Sequence, residues 1–409
     1  MSEAEQKQEG ADAPAQDAPD TPDTPAQDAP PAQEGDDRAQ EGDDKAQEGD
    51  GKAGEQQQEK QLEVSYSVSG GLRNRLEQLG ASVIFTSYQS GLLYLIGRRP
   101  EGGISIHHTR VPKPMGICPD ENIGGFMVAG DYQISRFVNV LNKNEFANKV
   151  FDACYVPRRV YLTGRLDAHD IGIESDGSPL FVNTRYNCLA RVSERESFEP
   201  VWKPSFVTDW IDEDRCHLNG LAMEDGEARY VTVVSRSNTI DGWRDRRVDG
   251  GAVLDVKSGE IICGGLSMPH SPRLYEGRLW ILNSGTGDLG FVHLDGKRKG
   301  EFESFVFCPG FVRGLAFRNG YAFVGLSKPR YKRFEGLALD ERLKEADSEP
   351  WCGVQIIDLS TRTCVDWLRI DGQIAELYDV DVLAGPVCPM AVSADSSEAA
   401  QLTKFEKPS

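Results

Sequence analysis

From residue 82 onward, short apolar runs alternate with turns. The first pair is Ser82-Val-Ile-Phe-Thr-Ser87 and Gly91-Leu-Leu-Tyr-Leu-Ile-Gly97, with the polar Tyr88-Gln-Ser90 between them. Paired runs return at 126–130 and 134–138, 180–184 and 188–192, 230–234 and 251–256, 279–283 and 289–294, and 321–326 and 353–359. Runs of this length, rich in Val, Ile, Leu, Phe and Tyr and bounded by Gly, Asn, Asp and Ser, predict β-strands. A recurring phrase precedes most pairs: a polar or sulfur-bearing residue, a few small or apolar residues, then a turn ending in Gly. Asn219-Gly-Leu-Ala-Met-Glu-Asp-Gly226 and Arg313-Gly-Leu-Ala-Phe-Arg-Asn-Gly320 are its clearest copies. Looser copies start at Met115, Asp170 and His270, and a degenerate one lies at Tyr378-Asp-Val380. A period near fifty residues, made of strands and turns, predicts propeller blades.

Six strand pairs with six phrases predict an all-β, six-bladed propeller. The first pair has no full phrase before it, and the last phrase has no full pair after it. Segment 376–384 is therefore expected to close the ring by joining the first pair in one blade, which removes two exposed sheet edges. Leu72, Leu76 and Leu79 recur at helical spacing before Gly80 and predict a short helix capping the domain. The propeller is expected to span 62–388, with a flexible tail over 389–409. Two strand pairs are interrupted. Ser235–Gly250 carries Arg236, Arg244, Arg246 and Arg247 around Asp241-Gly-Trp243, and Ser327–Cys352 carries Lys328, Arg330, Lys332 and Arg333. Long inserts between neighbouring strands tend to carry function. Two readings stand: solvated surface loops, or two basic arms over one channel mouth.

Charge changes the picture at the N-terminus. Residues 1–60 hold 18 acidic and 5 basic side chains, which leaves 47 acids and 40 bases for the rest. A segment so poor in apolar residues cannot offset its chain entropy, so residues 1–61 are expected to be a disordered acidic leader. The mildly acidic remainder speaks against nucleic-acid binding, whose footprint is basic. No apolar run is long enough to span a bilayer, and no secretory signal is visible, so a cytoplasmic protein is expected. The nine cysteines are dispersed, without a Cys-x-x-Cys, and read as free thiols.

A propeller brings the starting residue of every phrase around one channel. The expected ring is Met115, Asp170, Asn219, His270, Arg313 and Tyr378 or Asp379, with His169 and His217 within two residues of it. Asp170, Asn219 and His270 are competent ligands for a divalent metal ion. Arg313 would sit poorly beside a bare cation and fits an anionic substrate lying between the two. Without metal, His270 serves as general base with Asp170 orienting it. Catalysis is thus expected from His270, Asp170 and Arg313, and ligand contacts from His169, His217, Asn219, Arg244, Arg273 and Asp379. The opposing reading is a ring of polar groups that merely bond to backbone and water. The expected partner is a small anionic or polyhydroxylated molecule at the mouth; the alternative is a non-catalytic interaction platform that meets a protein through the propeller rim and the acidic leader.

The runs Asp214-Arg-Cys-His-Leu-Asn-Gly-Leu-Ala222, Leu266-Ser-Met-Pro-His-Ser-Pro-Arg273, Leu279-Trp-Ile-Leu-Asn-Ser-Gly285 and Pro309-Gly-Phe-Val-Arg-Gly-Leu-Ala-Phe317 resemble a bacterial family of conserved hypothetical proteins. The likeness spans Thr86 to Gly385 and supports the fold without implying an activity. More distantly, Asn219-Gly-Leu-Ala222 resembles the pore-facing phrase of gluconolactonase and strictosidine-synthase-like propellers. In the gluconolactonase branch a Glu, two Asn and an Asp hold a divalent cation. Only Asn219 matches that set. Met115, His169-Asp170 and His270 stand at the other places, which speaks against calcium-dependent lactone chemistry.

Overall fold

The computed structural model describes residues 63–329 and 334–405, so the acidic leader expected over 1–61 lies outside the described residues. Six sheets, each of four or five strands and antiparallel apart from one edge pair, are arranged as blades. From the centre outward, blade 1 runs Val380–Ala384, Ala81–Ser87, Leu92–Arg98 and Ile104–Arg110. Blade 2 runs Ile117–Asp120, Gly125–Ala129, Gln133–Asn139 and Ala153–Leu162. Blade 3 runs Ala168–Ile173, Pro179–Asn183, Cys188–Arg191 and Glu199–Trp202. Blade 4 runs Leu218–Glu224, Glu227–Val233, Gly251–Asp255 and Ile261–Leu266. Blade 5 runs Pro269–Tyr275, Arg278–Asn283, Asp288–Val292 and Phe302–Phe307. Blade 6 runs Phe311–Arg318, Tyr321–Ser327, Cys352–Asp358 and Thr363–Gly372. The first strand of each blade packs against the first strands of its two neighbours, which makes the central ring.

The middle strands read as continuous apolar runs because both faces of each sheet are covered. Ala81–Ser87 and Leu92–Arg98 are buried at every position. The core is divided among the spaces between blades. Leu180, Val182 and Leu189 of blade 3 pack on Leu221, Val231 and Val233 of blade 4. Trp280, Leu282 and Phe291 of blade 5 pack on Leu315, Val324 and Leu326 of blade 6.

Two sets of polar stitches join blades. At the end of the second strand, a hydroxyl donates to the backbone carbonyl that opens the next blade. Thr86 reaches Met115, Thr184 reaches Leu218 and Ser284 reaches Val312, each at 2.6 Å. Ser327 reaches Leu377 at 3.1 Å. The second set lies on the inner strands of alternate blades. Asp379 accepts from the Ile117 N–H at 2.9 Å, Asp170 from the Leu221 N–H at 2.9 Å, and Ser271 from the Gly314 N–H at 3.0 Å. The strands approach so closely here that a Cβ on Gly314, whose φ is +78°, would lie 2.3 Å from the Val380 nitrogen.

Closure occurs as the sequence pattern predicts. Ala81–Phe85 pairs antiparallel with Val380–Ala384, so the chain's C-terminal strand is the innermost strand of the blade built from its beginning. The predicted helix α1 is Leu72–Leu79, with Leu72, Leu76 and Leu79 buried and Gly80 left-handed at its C-terminus. Two terminal strands were not anticipated. Val64–Val68 adds to the outer edge of blade 6, and Pro389–Ala391 pairs parallel with Ala153–Tyr155 at the edge of blade 2. The start of the expected flexible tail is therefore paired strand, and Met390 and Val392 are buried against Cys154 and Val156. A three-residue strand carries too little alternation to be read from sequence.

Candidate functional site

The register of the blades defines the residues that share one level of the channel mouth. Ala168 pairs with Asn183, Pro269 with Asn283 and Val312 with Leu326, each just before a stitching hydroxyl. The next inner residues are His169, His270 and Arg313. Leu218 and Leu377, which accept the equivalent stitches, are followed by Asn219 and Tyr378. The level is therefore made by His169, Asn219, His270, Arg313 and Tyr378. In blade 3 it passes through His169 rather than the expected Asp170, one residue away. Met115 in blade 2 is buried and apolar.

Backbone geometry fixes both histidines in the same way. Asp167 and Met268, two residues earlier, adopt left-handed φ values of +53° and +49°. Such conformations are strained for residues other than Gly and concentrate at functional sites. Each turns a carbonyl towards the histidine: His169 Nδ1 lies 2.9 Å from the Asp167 oxygen, and His270 Nδ1 lies 2.8 Å from the Met268 oxygen. The Ser284 hydroxyl is also 2.8 Å from His270 Nδ1 while it donates to Val312. The protons are thus on Nδ1, and Nε2 carries the lone pair. Burial holds both imidazoles neutral by pushing their pKa values down, and Arg313 adds to the effect. For His270 the fall is large.

His217, also left-handed at φ +50°, flanks the mouth from blade 4. Its Nδ1 lies 2.6 Å from Asp214 Oδ2, its own N–H donates to Asp214 Oδ1 at 2.9 Å, and its ring stacks on Trp243 at 4.2 Å. His169 meets His217 edge-on at 4.8 Å and Tyr378 at 5.4 Å. The Arg313 guanidinium lies over Phe311 at 5.0 Å and over Tyr378 at 5.2 Å. Among the described residues, four buried polar atoms of this one level have no hydrogen-bond partner: His270 Nε2, Arg313 Nε, Asn219 Nδ2 and the Tyr378 hydroxyl.

Both inserted arms reach the mouth. Trp243 of the first and Phe334, Leu337, Leu339 and Leu343 of the second form one apolar cluster with Met268 and Phe311. The second arm is held by helix α2, Ala338–Glu345, where the Leu339 N–H donates to Gly285. Arg244 instead stacks on Trp243 at 4.6 Å and pairs with Asp241 at 3.0 Å. Arg330, Lys332 and Arg333 fall outside the described residues.

One step deeper, the channel is held by charge. Arg273 bridges Asp170 at 2.9 and 3.3 Å, donates to the Leu221 carbonyl at 2.9 Å, and lies 3.6 Å from Asp379. Asp170 also accepts the N–H groups of Ile171 and Leu221. Arg273, rather than Arg313, is the cation beside Asp170 and Asp379. Burial raises the pKa of Asp379 and pushes that of Asp381 up to about 7, against the pull of Arg273. A metal on Asp170, Asn219 and His270 does not fit these positions. Asp170 is saturated, and the Asn219 oxygen accepts from the Thr232 hydroxyl at 2.5 Å, so Asn219 presents donor hydrogens. Among the described residues no three His, Cys, Asp or Glu side chains form a group able to hold a metal ion.

Sequence reading set His270, Arg313 and Asn219 in one ring and left the two inserts open between surface loops and arms over the mouth. It missed the Asp214–His217 pair, the role of Ser284 and the left-handed Asp167 and Met268. The repeated spacing of His169 and His270 two residues after those positions is the only trace they leave. Clefts of about 460 Å³ and 430 Å³ lie at the other end of the inner strands, beside Glu276 and Asn319 and beside Asp225.

Fold and mouth together define a six-bladed propeller with a polar channel entrance beneath two arms. The chain belongs to the family described as a domain of unknown function (DUF4915), whose model matches residues 71–392. No curated protein matches it in sequence. Among solved structures, it is similar to a chain of a nidogen/laminin complex, with 10% identity, coverage of 75% of this chain and 99% of that one, and a TM-score of 0.45. A gluconolactonase from Xanthomonas campestris shows 11% identity, coverage of 72% and 86%, and a TM-score of 0.42. Virginiamycin B lyase from Staphylococcus aureus, in an inactive form with quinupristin, shows 14% identity, coverage of 71% and 76%, and a TM-score of 0.36. Likenesses this loose carry nothing about activity. No described helix is long and apolar enough to cross a membrane.

Proposed function

We propose that the channel mouth binds a small anionic molecule, with Arg313 as its charge partner and His270 as a proton acceptor beside it. The observation that supports this is the set of four partnerless buried polar atoms at one level of the ring. A buried polar atom without a partner is destabilising by about 1–3 kcal/mol. Four together, flanked by strained backbone, are consistent with groups kept for a ligand. His270 suits a general base: its Nδ1 is fixed by Met268 and Ser284, and its Nε2 is buried and neutral.

The test is thermal unfolding of the full chain in the presence of a panel of small carboxylates and organic phosphates. Members of the panel should raise the melting temperature of the wild type. Arg313→Lys should keep the melting temperature of the free protein and lose about tenfold or more in affinity, because Lys does not reproduce the planar guanidinium contact. An Arg313→Lys protein that is unstable yet binds normally would assign Arg313 to the fold.

A further inference from the structure

We infer that the mouth takes a hydroxylated acid, with its anionic group on Arg313 and a neighbouring hydroxyl given to the Nε2 atom of His270; this rests on the reading that the mouth binds a small anion. Around the level, successive blades alternate in what they offer. His169 offers an acceptor, because its Nδ1 proton is spent on Asp167. Asn219 offers donor hydrogens, because its oxygen is spent on Thr232 and its Nδ2 has no partner among the described residues. His270 offers an acceptor, because Nδ1 is spent on Met268 and Nε2 is unpartnered. Arg313 offers a charged donor at Nε, and Tyr378 a hydroxyl that can act either way.

A ligand made only of acceptors would satisfy Arg313 and Asn219 but leave the buried His270 Nε2 facing another acceptor. A neutral polyol would satisfy the histidines but leave Arg313 without a counter-charge. An acid with a hydroxyl on the adjoining carbon meets both needs across one pair of neighbouring blades, 5 and 6. An ammonium in place of the hydroxyl is disfavoured. Burial first, and the Arg313 charge after it, lower the basicity of the His270 imidazole, and both oppose a second positive charge beside it. A site built to hydrogen-bond a hydroxyl discriminates strongly against the analogue lacking it, because its own buried group is then left unpaired.

The experiment is calorimetric titration of the full chain with matched probes. Lactate, as both enantiomers, is set against propionate, and glycerol 3-phosphate against propyl phosphate, with glycerol and alanine as further comparisons. The hydroxylated member of a pair should bind about tenfold more tightly than its partner. The pair showing the larger preference identifies the anion as carboxylate or phosphate. His270→Ala should abolish the preference, and Arg313→Lys should weaken both members. Equal affinities within both pairs, or alanine binding more tightly than lactate, would overturn the inference while leaving the anion site standing. Binding by no acid at all would overturn both. A second measurement does not depend on any variant folding. Nitrogen-15 spectra of histidine-labelled wild type should show His169 and His270 as neutral Nδ1–H tautomers from pH 6 to 8. An Nε2–H tautomer at His270 removes the acceptor and with it the inference.

Discussion

Two arginines on neighbouring inner strands have opposite duties. Arg273 is bound on every side, with Asp170, Asp379 and a backbone carbonyl as partners. Asp170→Ala would leave that cation short of a counter-charge and two N–H groups without acceptors. It should reduce the unfolding free energy by about 3 kcal/mol or more in urea titrations. Asp379 and Asp381 give a pH dependence with a definite sign. Burial raises both pKa values, so between the ordinary carboxylate range and about 7 the folded chain holds more protons at Asp381 than the unfolded chain. That contribution is complete below the unfolded pKa and is lost as pH rises through about 7. Asp381→Asn should therefore flatten the fall in stability between pH 5 and 8, and an unchanged slope would show that Asp381 titrates normally. At this scale the sequence was only partly legible. The phrase repeat located Asn219, His270 and Arg313, but in blade 3 it selected Asp170 over His169. A one-residue choice of register exchanges a side chain at the mouth for one a level deeper, and no apolar pattern distinguishes them.

The strands were legible where apolar runs are long, and the stitches between them were not. Thr86, Thr184, Ser284 and Ser327 each end a second strand, and their hydroxyls look like ordinary turn residues in sequence. Their buried bonds to the next blade give them a cost on removal. Thr184→Ala should lose about 1 kcal/mol, measured by urea denaturation. Gly314→Ala should lose at least about 2 kcal/mol, because the added methyl meets the Val380 nitrogen at 2.3 Å and the φ of +78° strains any side chain. Ser284→Ala has a second effect. It releases His270 Nδ1 from one of its two partners, so its histidine spectrum should change even where stability falls little.

For the whole molecule, closure was readable because a strand pair without a phrase at one end of the chain matched a phrase without a pair at the other. Removing residues 376–409 takes the innermost strand from blade 1 and opens the ring. The product should lose cooperative unfolding or aggregate, as followed by size exclusion and far-ultraviolet circular dichroism. The outer strands Val64–Val68 and Pro389–Ala391 were not readable, since short edge additions depend on neighbours far away in the chain. On the proposed reading the channel has two tiers, a lower one of Arg273 and its carboxylates that holds the blades and an upper one that serves a ligand. Equilibrium urea unfolding of Arg313→Met tests this most directly. Its unfolding free energy should lie within about 1 kcal/mol of wild type, or above it, because an unpartnered buried donor is removed. A loss of about 3 kcal/mol, comparable to that of Asp170→Ala, would place Arg313 among the groups that hold the fold and leave no separate ligand tier.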